Sequence, residues 1–190
     1  TIKVAPFVFN VDKTGVTGKL GLVRGEKNKY FVIAESDRIN FDNYVENMPE
    51  DVADKNWEEK IKYRFSQLGG LKDKDVEFRL TLNSGVWGQV PFEKAYAEGV
   101  LKNGIMKLND FEIDEIATAQ VALKGEISGF GAKPAVKQMK YGIEIKDNEK
   151  FAKKLKMDFP SINLKNLSPL TSKGIVSGDF DRARLKFATK

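Results

Sequence analysis

Apolar and polar residues alternate along most of this chain, and this period of two limits the folds open to it more than any other feature. Phe78, Leu80 and Leu82 alternate with charged or polar neighbours, and residues 119–127 and 141–145 repeat the pattern. Successive side chains of a strand point to opposite faces of a sheet, so each segment predicts a strand with one apolar face. About ten such segments, joined mostly by short turns, predict a meandering antiparallel sheet.

Turn residues separate the predicted strands. The clearest pair is Asn103-Gly104, because both residue types readily take the positive φ of a type I′ turn. It predicts a hairpin between strands at residues 96–101 and 105–108. Residues 12–15 and 25–28 predict two further turns between strands.

Helical patterns are confined to three places. Trp57, Ile61, Phe65 and Leu68 recur at helix spacing over residues 56–68, within an insert at about residues 54–70 that ends in two glycines. A shorter helix is predicted at residues 148–155 and a helical turn at residues 41–46. The predicted fold is therefore mainly β, a curved, meandering antiparallel sheet with one amphipathic helix and one or two short helices. The sheet forms either an open groove or a sandwich.

A short motif recurs along the chain. Residues 124–129 (KGEISG) and 173–178 (KGIVSG) are nearly identical, and residues 17–21 (TGKLG) are a looser copy. Because the order of strands and helix after the motif also repeats, we predict an internal duplication over residues 15–70 and 120–160. The alternative is that glycines recur wherever a strand bends or passes another backbone closely. Residues 1–190 are predicted to be a single β-rich segment of a longer protein, since the chain begins at Thr1 within a strand-like pattern.

The composition argues against several classes of function. The chain has no His and no Cys, so it lacks the usual general base, thiol nucleophile and zinc ligands. Its acidic clusters, such as Asp110, Glu112 and Asp114, interleave with apolar residues and predict a solvated strand face. The net charge of +5 is spread along the chain, unlike the basic patch of a nucleic-acid-binding protein. We therefore predict no enzyme, no catalytic residues, no metal, no cofactor and no nucleic-acid partner.

The apolar strand faces remain as the candidate functional surface. They pack as the core of a sandwich or line an open groove that holds lipid acyl chains, and periodicity does not separate these alternatives. Phe7 and Phe9 begin a series of apolar rungs along the predicted sheet. The residues predicted to face lipid are Phe78, Leu80, Leu82, Val121, Leu123, Ile127, Ile143 and Ile145.

Two stretches resemble the AsmA-like family of bacterial envelope proteins, the AsmA-, TamB- and YhdP-type β-groove proteins. Residues 78–113 (FRLTLNSGVWGQVPFEKAYAEGVLKNGIMKLNDFEI) and 118–130 (TAQVALKGEISGF) follow the family's cadence, with its a-x-G-x-L-x-N-G-x-x-x-L element at residues 97–108. Residues 38–45 are similar to the family's x-L-D-L-D-x-Y-L step. The chain departs from the family pattern at residues 114–117, where the usual pair of glycines is missing.

The resemblance implies a non-enzymatic, periplasmic module of a protein tethered to the inner membrane outside this segment. It implies an apolar groove that takes part in phospholipid transport or outer-membrane biogenesis and assembly. The implied partners are lipid acyl chains and other envelope proteins.

Two other functions compete with this one. The first is a structural or adhesive β-sandwich binding module, of the kind found in surface proteins and phage tails. The second is a carbohydrate-active enzyme that uses carboxylates, with Trp57 or Trp87 stacking on sugars.

Overall fold

Eleven strands account for most of the residues that the structure describes. The computed structural model describes residues 2–11, 14–43, 63, 65–87, 89–131, 133–154, 169–179 and 184–188. The strands are β1 (Ile2–Val11), β2 (Thr14–Val23), β3 (Lys29–Ser36), β4 (Ile39–Asn40), β5 (Asp75–Trp87), β6 (Val90–Lys102), β7 (Ile105–Ile116), β8 (Ala119–Ser128), β9 (Ala135–Ile145), β10 (Leu170–Asp179) and β11 (Arg184–Ala188).

The strands form one open sheet in chain order, with β4 paired separately to β5. The order is β1-β2-β3-β5-β6-β7-β8-β9-β10-β11, and β1 and β11 are its two edges. The mainly β fold predicted from alternation is thus confirmed. Within the described ranges this sheet has no partner sheet, so the open form is found and the sandwich is not.

Two parallel pairs, β3–β5 and the short β4–β5, depart from the predicted antiparallel meander. β3 and β5 are parallel, whereas the other neighbours in the order are antiparallel. Parallel neighbours need a connection that returns to the starting end of the sheet. The long connection between Ser36 and Asp75 makes that return, and it contains the predicted helical insert.

The predicted helices are found where the structure describes them. A 3-10 helix covers Phe41–Asn43, a second covers Leu68–Leu71, and an α-helix, α1, covers Asn148–Lys154. The Asp147 side chain caps α1 by accepting the backbone N–H of Lys150 at 2.9 Å, which lowers the pKa of Asp147. Of the predicted helix at residues 56–68, residues 63 and 65–67 are helical and the others before residue 68 lie outside the described residues.

The predicted hairpin is confirmed. β6 and β7 meet at Asn103 and Gly104, which have φ of 51° and 72°. A β-bulge interrupts the same strand pair between Glu98 and Gly99, and similar register shifts occur in the β7–β8, β8–β9 and β9–β10 pairs. Bulges bend a strand and increase its twist.

Buried apolar residues occur along β6 to β9, and one group of them forms a packed cluster near one end of the strands. Phe92, Ala95 and Ile113 form this cluster. Partly buried apolar side chains pack against that cluster: Ile39, Phe41, Leu82, Phe111 and Ile116. A single sheet buries few residues completely, and this leaves most of its apolar side chains at intermediate exposure.

Candidate functional site

The strand register aligns the apolar side chains into rows that cross the sheet. Residues paired across neighbouring strands lie on the same face, so a chain of pairs traces one row. One row contains Phe7, Gly18, Ala34, Leu80, Ala97, Phe111, Leu123, Tyr141 and Gly174. The next contains Phe9, Val16, Ser36, Leu82, Ala95, Ile113, Val121, Ile143 and Ser172.

Three shorter rows complete what we call the apolar face. One contains Val32, Phe78, Gly99, Leu108 and Gly125. The others contain Val76, Leu101, Met106, Ile127 and Val136, and Phe92, Ile116, Ala119, Ile145 and Leu170. Because these rows span β1 to β10, the sheet has a continuous surface that lacks charged side chains over most of its width.

All eight residues predicted to face lipid lie on the apolar face. Seven of them are half-buried, and Ile145 is buried with 6% of its surface exposed. Half-burial on one side of a sheet means that neighbouring strands cover the flanks of a side chain while its outer surface stays accessible. The structure thus brings the predicted residues together, whereas their contact with lipid stays a prediction.

The opposite face is mostly polar and carries ion pairs between neighbouring strands, although Val4, Val8, Ile33 and Ile175 are exposed on it. Lys29 and Glu77 are 2.9 Å apart across β3 and β5, and the more distant pairs are Lys137–Glu126 at 3.8 Å and Lys94–Asp114 at 3.6 Å. Exposed pairs of this kind contribute at most about 1 kcal/mol each. These charged side chains are exposed and hydrated, which distinguishes this face from the apolar face.

The most connected group on the polar face is centred on Glu98. Its Oε2 accepts the hydroxyl of Tyr96 at 2.6 Å and the Nε–H of Arg79 at 3.0 Å. The Tyr96 hydroxyl, followed by the Arg79 guanidinium, holds the pKa of Glu98 below its ordinary value. Its hydrogen bond to Glu98 in turn raises the pKa of Tyr96. Because these hydrogen bonds join Arg79 on β5 to Tyr96 and Glu98 on β6, we interpret the group as a structural link between the two strands.

A hollow of about 350 Å³ opens in the apolar face where β5, β6 and β7 run side by side. Its lining residues are Phe41, Leu80, Leu82, Trp87, Phe92, Ala95, Tyr96, Ala97, Phe111, Ile113 and Ile116. Two of them, Leu80 and Leu82, were predicted from the sequence to face lipid. The hollow therefore continues the apolar rows inward.

Aromatic contacts lie at opposite ends of the strands. Phe41 stacks on Phe92, near the start of β6, with ring centroids 6.1 Å apart. Phe65 stacks on Phe130, just beyond the end of β8, at 5.5 Å. Because β6 and β8 run in the same direction, the start of β6 and the end of β8 lie at opposite ends of the sheet. Phe41 and Phe65, from the two ends of the β3–β5 connection, therefore contact opposite ends of the strands.

Most residues of the hollow were missed by the sequence interpretation. Ala95 and Phe92 lie on one face although three positions separate them, because Lys94 has a φ of 49° and shifts the alternation. Trp87, which the sequence analysis considered as a sugar-stacking residue, ends strand β5 with 63% of its surface exposed. Gly85, two residues before Trp87, is a buried strand residue. The sequence signal that could have indicated the hollow was Trp87, which follows the alternating apolar residues of β5.

The acidic residues singled out in the sequence lie on an exposed strand face. Asp110, Glu112 and Asp114 are exposed, which confirms that this segment has a solvated face. Among the described residues no group of three or more potential metal-binding side chains comes together. In that same part of the chain, no helix is both long and apolar enough to span a bilayer.

Comparison with known proteins adds no relative to this picture. No protein-family model matches the chain, and no curated protein or solved structure matches it significantly. The resemblance to AsmA-like proteins therefore stays a prediction based on the motifs quoted above.

Proposed function

We propose that the apolar face is a binding surface for lipid acyl chains. The observation that carries the proposal is the register, which aligns Phe7 through Gly174 and Phe9 through Ser172 into rows across nine strands. At a strand spacing of about 4.8 Å, such a row is roughly 38 Å long. Each leaflet of a bilayer contributes about half of a hydrocarbon core of about 30 Å, so a row accommodates two acyl chains end to end.

The biological setting that we propose comes from the sequence resemblance. The chain is a non-enzymatic module of an AsmA-like protein, it lies in the periplasm, and the parent protein is tethered to the inner membrane. In that setting the apolar face carries phospholipid chains during lipid transport or outer-membrane assembly. An open apolar sheet with a wetted opposite face suits this role, because each buried methylene contributes about 0.8 kcal/mol.

Binding of a fluorescent fatty acid to the purified chain tests the proposal. Leu123→Asn places an amide in the middle of a row, and we expect it to weaken binding about tenfold, which corresponds to about 1.4 kcal/mol. Lys124→Asn is the matched control, because Lys124 is the next residue and is exposed on the polar face. Thermal unfolding of both variants verifies that each is folded.

Two results would contradict the proposal. One is that the unsubstituted chain binds no fatty acid. The other is that Lys124→Asn weakens binding as much as Leu123→Asn, since binding would then not depend on the apolar face.

A further inference from the structure

The hollow between β5, β6 and β7 is bounded on one side by Phe41 and Phe92, and it adjoins the rest of the apolar face. Phe92 and Ala95 are buried at its base, and Phe41 stacks on Phe92 with the two rings inclined by 24°. In the other direction Ala97 and Phe111 continue through Leu123 to Tyr141 along one row. A chain-like ligand that lies along this row can therefore end inside the hollow.

The chemistry of the lining determines which end of such a ligand fits. No charged side chain is among the described residues that line the hollow. The Tyr96 hydroxyl donates to Glu98 on the polar face and so does not face the hollow. Among the described lining residues, the indole N–H of Trp87 is then the one remaining side-chain polar group. An ionised carboxylate or phosphate without a partner is costly to bury, so the charged end of a lipid is excluded.

The size of the hollow fits the end of an alkyl chain. Its volume of about 350 Å³ is more than twice that of a cavity of about 150 Å³, which binds a benzene ring. By that ratio it holds roughly fourteen carbon atoms. It is thus too small for a complete lipid and large enough for the distal part of one acyl chain.

We infer that the hollow binds the terminal methyl end of an acyl chain, and that the rest of this chain lies along the rows toward β8 and β9. The inference rests on the proposed function and adds a direction and a chain-length limit to it. Trp87 lies at the edge of the hollow with 63% of its surface exposed, and so it reports directly on what enters.

Quenching of Trp87 fluorescence by nitroxide-labelled stearic acids tests this direction. The chain has two tryptophans, so Trp57→Phe leaves Trp87 as the single emitter. Unlabelled stearic acid must bind this variant as it binds the unsubstituted chain. We expect a nitroxide near the methyl end to quench Trp87 at least threefold more than one near the carboxyl end.

The outcomes separate the inference from the proposed function. If stearic acid binds but the carboxyl-end label quenches Trp87 as much as the methyl-end label or more, the hollow does not bind the methyl end. The proposal that the apolar face binds lipid is unaffected by that result. If stearic acid does not bind at all, both proposals fail.

A volume change in the hollow gives a second measurement. Ala97→Leu adds three carbon atoms to the lining, and we expect the preferred fatty acid to become shorter by about three carbons. Ala122→Leu is the matched control, because Ala122 is exposed on the polar face. If a folded Ala97→Leu variant prefers the same fatty-acid length as the unsubstituted chain, the inference that the hollow binds the methyl end is wrong.

Discussion

Glu98 shows how single residues keep one face of the sheet polar. Its carboxylate is held by Tyr96 and Arg79, and Tyr96 makes the larger contribution to the lowered pKa. We expect Tyr96→Phe to raise the pKa of Glu98 toward its ordinary value, because the shortest hydrogen bond to the carboxylate is lost. Titration of the Glu98 side-chain carbon by NMR measures this shift, and Tyr141→Phe on the apolar face is the control.

The same group predicts how stability depends on pH. A carboxylate with a lowered pKa in the folded state stabilises the fold above its ordinary pKa, and this contribution is lost as the pH falls through the lowered value. Stability at neutral pH should therefore not change with small shifts in pH on account of Glu98. A pKa of Glu98 that is the same in the Tyr96→Phe variant would show that the hydrogen bond is absent in solution.

At the scale of elements, the β3–β5 connection is fixed to the β8–β9 loop by a close contact of two glycines. Gly131 has a φ of 79°, and a Cβ at that position would lie 2.7 Å from the Cα of Gly69. The N–H of Gly131 also donates to the carbonyl oxygen of Phe65 at 2.9 Å. This contact lets the aromatic pair of Phe65 and Phe130 form.

We expect Gly131→Ala to destabilise the fold by roughly 1–3 kcal/mol, because alanine is strained at positive φ and the two backbones must separate. Gly70→Ala is the control, since a Cβ there meets no atom within 4 Å. It should be neutral or stabilise by up to about 1 kcal/mol. Urea unfolding measures both, and equal stabilities for the two variants would contradict the contact.

The elements themselves were largely predictable from the sequence. Alternation at Phe78–Leu82 and the Asn103-Gly104 pair are local signals, and strand β5 and the β6–β7 hairpin followed from them. The parallel pairing of β3 with β5 was not predictable, because it depends on the path of the connection between them. The internal duplication stays a prediction, although α1 follows the second predicted strand pair.

The apolar face of the whole sheet is produced by strand register and not by composition alone. Leu80 and Leu123 are distant in sequence, and only the pairing through Ala97 and Phe111 places them in one row. Alternation could predict which side chains share a face within one strand. It could not predict the hollow, whose lining combines three strands with Phe41 from the β3–β5 connection.

We propose that lipid chains bind to the apolar face because of its aligned rows and not because apolar residues are exposed. Ile33 and Ile175 allow this distinction, because each is 41% exposed but lies on the polar face. Leu80, Leu123 and Ile143 are less exposed and lie on the apolar face. Exposure alone would therefore favour Ile33 and Ile175 as lipid contacts.

Intermolecular NOEs between a short-chain phospholipid, kept below its micelle concentration, and the methyl-labelled chain distinguish lipid bound at the two faces. We expect NOEs from the acyl chains to Leu80, Leu123 and Ile143, and none to Ile33 or Ile175. NOEs of equal strength to both sets, or to Ile33 and Ile175 alone, would contradict this proposal.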